Sequence, residues 1–307
     1  MAAVASVEEQ LAWEARQRPR AGAAAIAAGI LTTLSLIWLR VGLADVPDAP
    51  FLNSLGRAFQ SGAMGDQQSQ LTPVFQYYVD KPLVFVGSAV LQAIAMIGLA
   101  WAVTFLAVAA RARRPELPRY LIYVTLVGAV LVAVAALLNG VGRLVAINNF
   151  LDGSRTVNDA RDVNSQPLLA TAFLIGQLAP LALAAGILLV SLNAMRVGLL
   201  TRFLGVLGMI SGGLTVFSGF FLFGPFVQAF WMLSLGFVFL NIRDGAPPAW
   251  RTGQAEPWPS QREVAAQRAA AKQKAAPPQP AAEAEAQPVP AGRPHPASKK
   301  RKRKRRG

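Results

Sequence analysis

Long apolar runs, broken by short polar segments, restrict the folds open to this chain. Several reach the roughly 20 residues that a helix needs to cross about 30 Å of hydrocarbon. The 307 residues are 53% hydrophobic and 15% charged, whereas a soluble domain of this size carries about 25% charged residues. Because backbone polar groups in lipid need internal partners, such runs form helices. The pattern predicts an all-α, polytopic transmembrane helical bundle and excludes an ordinary soluble fold.

Six runs are predicted to cross the membrane, in a transmembrane domain over residues 21–242. They cover residues 21–39, 82–110, 120–142, 167–192, 203–223 and 226–242. Residues 1–20 form a polar N-terminal segment. The first run is longer than the apolar core of a signal peptide, and Arg40 follows before any clean cleavage site, so we interpret the run as an uncleaved anchor.

Charge in the short loops predicts the orientation, because Lys and Arg accumulate on the cytoplasmic side. With the N-terminus inside, residues 1–20, 111–119 and 193–202 hold nine Lys and Arg, against four in the outer loops. Both termini are then cytoplasmic, which agrees with six crossings because an even number of crossings returns the chain to the side on which it began. Since alanine and arginine usage is typical of a high-GC bacterial genome, the predicted location is the bacterial inner membrane.

Residues 243–307 are predicted to form a disordered, basic cytoplasmic tail, because they are low in complexity and too polar to build a core. They hold fifteen Lys and Arg against five Asp and Glu. The tail ends in eight consecutive cations: Lys299, Lys300, Arg301, Lys302, Arg303, Lys304, Arg305 and Arg306. This run predicts binding to anionic phospholipids or to nucleic acid. A solvated topology and solubility segment is the alternative that the sequence leaves open.

Small residues form a stripe along the fifth run. Gly208 and Gly212 have the G-x-x-x-G spacing, and Thr215 and Gly219 continue the same helical face. Such residues let helix backbones approach closely, so this face is predicted to pack against another helix. The partner helix belongs either to the same chain or to a second copy in a homo-oligomer.

Polar side chains inside the runs are few, and none of them is Asp or Glu. The buried candidates are Gln92, Asn139, Gln177 and Gln228. Asn139 and Arg143 are four residues apart and share a helical face, and with Gln177 they predict a polar path between the helices. Arg143 also lies with Arg40 and Lys81 at the predicted outer side. These three cations form either a rim that meets an anion or a set of interface anchors.

The residues that most metal sites and many catalytic sites use are scarce. The chain has no cysteine, and its one histidine, His295, lies in the tail. We find no P-loop, zinc-protease, nucleophile-elbow or C-x-x-C motif. The sequence therefore predicts no catalytic site, no cofactor, no metal partner and no enzymatic activity.

A resemblance to a known family covers about residues 20–259. It rests on the segments 202–205 (RFLG), 230–233 (FWML), 247–253 (PPAWRTG) and 257–259 (PWP). In these segments the chain resembles uncharacterised actinobacterial multi-pass membrane proteins of the DUF4386 family. The resemblance implies bacterial origin and a helical membrane fold, and it carries no assigned activity.

Two functions follow as hypotheses. The first is a non-enzymatic membrane or scaffold protein whose polybasic tail binds anionic lipid or nucleic acid. The second is a transporter or channel subunit with a path lined by Gln177, Pro180, Asn139 and Arg143. A cavity at membrane depth with polar walls would favour the second, and a solid bundle would favour the first.

Overall fold

The computed structural model of the chain describes residues 6–47, 66–217, 223–241 and 247–258, and a few residues between 263 and 270. Within this part of the chain the regular structure is helical. The α-helices are α1 (Val7–Gly42), α2 (Thr72–Asp80), α3 (Pro82–Arg113), α4 (Tyr120–Asp152), α5 (Val157–Asp162), α6 (Pro167–Arg196), α7 (Arg202–Val216), α8 (Gly224–Leu240) and α9 (Ala249–Thr252).

Four of these helices, α1, α3, α4 and α6, are long and apolar enough to span a membrane. The chain is therefore a helical membrane protein by length and composition. Helices α7 and α8 are also apolar but have 15 and 17 residues, fewer than the roughly 20 that cross the hydrocarbon. That α7 and α8 also cross the membrane, which would make six crossings, therefore stays a prediction.

Local capping explains where several helices begin. Ser6 and Glu9 form a reciprocal capping box, so α1 starts at Val7, well before its apolar run. Proline occupies the first turn of α3, α6 and α8, where its missing N–H removes no helical bond. A proline also lies inside α6, at Pro180, and the helix continues through it.

The six apolar helices pack in a closed ring. Following the contacts, α1 lies between α8 and α3, α3 packs on α4, α4 on α6, α6 on α7, and α7 returns to α8. We name the two ends of this ring by their contents. The mouth end is where α1 and α4 finish and α3, α6 and α8 begin, and the strap end is the opposite one.

A segment that we call the strap, residues 247–258, lies against the strap end of the ring. The Trp250 indole donates to the carbonyl of Leu199 at 2.9 Å, and the Glu256 amide donates to the carbonyl of Val197 at 3.1 Å. The Trp250 ring also stacks on Phe105 of α3, with ring centroids 5.8 Å apart. These contacts attach the strap to α3 and to the link between α6 and α7.

Candidate functional site

The ring encloses a cavity of about 520 Å³ that reaches its mouth end. All six ring helices contribute to its wall, and Tyr78 of α2 adds to it. The polar lining residues are Thr32, Ser35, Tyr78, Ser88, Gln92, Asn139, Arg143, Thr215 and Gln228. The cavity therefore combines side chains that lie far apart in the sequence.

The cavity extends deep into the bundle. Its lining on α4 runs from Arg143 down to Val132, and eleven residues of helix correspond to about 16 Å along the axis. The linings on α1, from Leu43 to Thr32, and on α3, from Phe85 to Met96, have the same length. This depth is about half of the hydrocarbon thickness.

One lining side chain contains a buried amide donor without a partner. The Gln228 side chain is 9% exposed, and its Nε2 atom has no hydrogen-bond partner among the described residues. Leaving a buried amide donor unpaired costs about 1–3 kcal/mol. Such groups in native proteins usually pair with ordered water or with a protein group.

Other polar groups on the wall already form hydrogen bonds within the protein. The Ser35 hydroxyl lies 3.0 Å from Gln92 Oε1, so the amide nitrogen of Gln92 is the end left for a ligand. The hydroxyls of Ser88 and Thr215 donate to carbonyls of their own helices, at 3.0 and 2.9 Å. Their oxygen atoms keep acceptor capacity.

The cavity has one charged residue among the described residues that line it, Arg143. Asn139 lies one turn deeper on the same helix and also lines the cavity. The exposed fraction of Arg143 is intermediate, and Asn139 is exposed. Together they place a guanidinium and an amide on one face of α4.

Below the cavity the bundle is filled with apolar side chains. Past Met96, the next turns of α3 place Leu99, Val103 and Leu106 in the core, each at most 1% exposed. Ile187 of α6 is also fully buried. The cavity is thus closed toward the strap end.

A buried ion pair lies at that closed end. The Arg113 guanidinium donates to both carboxylate oxygens of Glu14, at 2.5 and 2.9 Å, and to the carbonyl of Ala249 in the strap at 2.7 Å. The two side chains are 0% and 3% exposed. The pair therefore connects α1, α3 and the strap.

At the mouth end, the cations predicted as a rim have separate surroundings. The Lys81 ammonium donates to the Tyr77 hydroxyl at 2.7 Å, and this bond raises the pKa of Lys81. The Tyr77 hydroxyl donates in turn to the carbonyl of Gly42. Arg40 is exposed. Neither Arg40 nor Lys81 lines the cavity.

The glycine stripe lies at helix contacts inside the chain. A Cβ on Gly208 would meet Ser191 Oγ of α6 and the Trp231 ring of α8, and one on Gly212 would lie 3.0 Å from the carbonyl oxygen of Ala184. Thr215 lines the cavity, and Gly219 lies outside the described residues. These intrachain neighbours account for the small residues, and self-association through this face stays a prediction.

The structure brings together part of the predicted polar path. Asn139 and Arg143 line the cavity, as do Gln92 and Gln228, whereas Gln177 is exposed and does not. Sequence reasoning missed Thr32 and Ser35 of α1 and Ser88 of α3. Their signal is weak because small hydroxyl residues satisfy themselves on their own helix carbonyls and are common in apolar helices. The basic run 299–306 lies outside the described residues.

Comparison of the chain with known proteins gives no match. No family model, no curated protein and no solved structure matches the chain. The DUF4386 resemblance stays a prediction.

Proposed function

We propose that this chain is a membrane carrier, or a subunit of one, that binds a small solute in the cavity at the centre of the helix ring. The observation that carries the proposal is the 520 Å³ cavity itself, which side chains from all six ring helices line. This volume falls in the range of about 300–1,000 Å³ typical of small-molecule sites. Gln92, Asn139 and Arg143 add polar groups that would orient the solute.

The closed end favours a carrier over an open channel. Buried apolar residues separate the cavity from the strap end, so the structure contains one-sided access rather than a continuous polar route. Moving a solute across would require the other end to open. Alternating access around a central site is how transporters satisfy this requirement.

The proposed orientation places the cavity mouth on the outer face of a bacterial inner membrane, with both termini in the cytoplasm. The loops at the strap end, residues 111–119 and 197–201, lie on the side that the count of Lys and Arg assigns to the cytoplasm. Asp45, Asp66, Asp80 and Asp159 lie in segments at the mouth end. The carrier would then take up its solute from outside.

Cysteine accessibility tests both access and orientation, and the native chain has no cysteine to interfere. Ala136 and Ser88 line the cavity, so Ala136→Cys and Ser88→Cys place a thiol there. Val134→Cys is the control, because Val134 lies two residues away on α4 and faces outward, 38% exposed. A membrane-impermeant thiol reagent reacts with thiolates, which form in water and not in hydrocarbon. We expect the two cavity positions to react at least about 10-fold faster than position 134.

The membrane face from which the reagent labels the cavity shows how the protein is oriented in the membrane. We expect labelling of positions 88 and 136 when the reagent is added outside cells, and none when it is added only to the cytoplasmic face of inverted vesicles. Equal rates at positions 134 and 136 would show that the cavity holds no water. Labelling from the cytoplasmic face alone would reverse the proposed orientation.

A second function is favoured by the basic run in the sequence. We propose that residues 299–306, with eight consecutive cations, bind anionic phospholipids or nucleic acid on the cytoplasmic side. Near an anionic membrane surface each Lys or Arg contributes about 1 kcal/mol. This binding does not require the cavity and would let one chain act both as a carrier and as a tether.

Deleting residues 299–306 from the full chain tests the tether. We expect the intact protein in nanodiscs to bind anionic liposomes and nonspecific DNA or RNA, and the binding to weaken as salt rises. The deletion should remove most of this binding and leave membrane insertion unchanged. If binding resists both salt and the deletion, the basic run is not the contact.

A further inference from the structure

We infer that the solute is an amphiphilic anion, with its charged group on Arg143 and its apolar body against the aliphatic and aromatic walls of the cavity. The inference rests on the proposed function, because it names the class of solute for the same site. It follows from three properties of the lining: its charge, its hydrogen-bond donors and its apolar area.

The charge on the lining is positive. Arg143 carries it, and the ion pairs among the described residues use other arginines, Arg113 with Glu14 and Arg114 with Glu116. No described carboxylate therefore neutralises the Arg143 guanidinium. A guanidinium binds carboxylates and phosphates through two parallel N–H donors, so an anion supplies the partner that the described residues do not provide.

Hydrogen-bond donors are among the groups left for a ligand. The contact between Ser35 and Gln92 Oε1 leaves the Gln92 amide nitrogen for a ligand. Asn139 adds a further amide beside Arg143. Donors at different depths of the cavity can hydrogen-bond to a ligand that is rich in acceptor atoms, such as a carboxylate or a phosphate ester.

Apolar side chains form the rest of the wall, so the charge alone does not describe the ligand. Leu36, Leu39, Phe85, Met96 and Leu183 all line the cavity. A small inorganic anion would leave these surfaces in contact with water. An anion with an attached hydrocarbon or aromatic group would cover them, at about 25 cal/mol for each Å² of apolar area removed from water.

Such an anion has two sources with the same chemistry. One is a water-soluble carboxylate or phosphate ester that enters from the aqueous phase. The other is an anionic lipid, whose headgroup would meet Arg143 near the membrane surface. The experiment therefore includes one arm for each source.

Benzoate and benzyl alcohol are suitable probes, because they share a ring and differ in charge. We expect the full-length protein in phosphatidylcholine nanodiscs to bind benzoate more tightly than benzyl alcohol. Arg143→Gln should weaken benzoate by about 10- to 100-fold, the effect of losing a charged hydrogen bond, and leave benzyl alcohol within about 2-fold. Arg143→Lys should keep most of the preference, and Arg40→Gln, which alters an exposed cation outside the cavity, should change neither probe.

A cavity-filling variant locates the probes. Ala136 lines the cavity, and Ala136→Phe should abolish the binding of both compounds while the detergent-solubilised protein stays folded. Competition with phosphatidylglycerol supplies the lipid arm. If benzoate binding falls as the mole fraction of phosphatidylglycerol rises, the site binds a lipid headgroup. If benzoate binding is unchanged, the site binds a soluble anion. Both results support an anionic ligand.

The outcomes separate the two proposals. If benzoate and benzyl alcohol bind equally and Arg143→Gln changes neither, the cavity binds solutes but does not select anions, and this inference alone is wrong. If neither compound binds the native protein, or if binding survives Ala136→Phe, the assignment of the cavity as the binding site is overturned as well.

Discussion

Glu14→Gln is expected to lower the free energy of unfolding by about 3–5 kcal/mol, the cost of leaving a buried charge without its partner. The Glu14 carboxylate accepts two bonds from Arg113, whose side chain is 0% exposed. Glutamine preserves the shape of the side chain and removes the charge. The Arg113 guanidinium would then be buried with only neutral acceptors, which are backbone carbonyls and the glutamine amide oxygen. Reversible unfolding in mixed micelles would measure the loss.

An exposed ion pair in the same protein is the matched control. Arg114 and Glu116 lie 3.4 Å apart, with side chains 40% and 81% exposed. Exposed pairs contribute about 0–1 kcal/mol, so Glu116→Gln should have little effect. Equal losses in the two variants would contradict the assigned role of the Glu14–Arg113 pair.

The second large effect concerns Gly208. A Cβ at this position would contact Ser191 Oγ and lie 2.8 Å from two atoms of the Trp231 ring. The Trp231 indole also donates to the carbonyl of Leu204, so the ring is fixed against α7. Gly208→Leu should therefore separate α6, α7 and α8 and cost about 3 kcal/mol, the upper part of the usual range for overpacking.

Gly213 supplies a control of the same residue type on the same helix. Among the described residues, no neighbouring atom lies within 4 Å of a Cβ built there. Gly213→Leu should be neutral or stabilising, because leucine is the better helix former by up to about 1 kcal/mol. Val206→Leu, at a position 44% exposed, should also be mild. Thermal stability in detergent that falls equally for positions 208 and 213 would show that the stripe is not a helix contact.

Run length alone was enough to predict the helical membrane class. An apolar run with no charge has few alternatives in lipid, since its backbone must satisfy itself, and α1, α3, α4 and α6 follow from that. The ends of the helices were harder to predict. The predicted fifth run includes Phe217, where the described helix α7 has already ended, because apolar composition does not show where a turn begins.

The sequence by itself determined the membrane class, the charge asymmetry and the identity of the few polar residues in the runs. The tertiary structure decided which of these residues meet. Gln92, Asn139 and Gln228 belong to three different helices, and only the closed ring brings them to one cavity, while Gln177 remains on the outside. The physical reason is that a nearly uniform apolar helix has no strong amphipathic face in its sequence. Its rotation about its own axis is set by close packing with its neighbours rather than by the contrast between lipid and core.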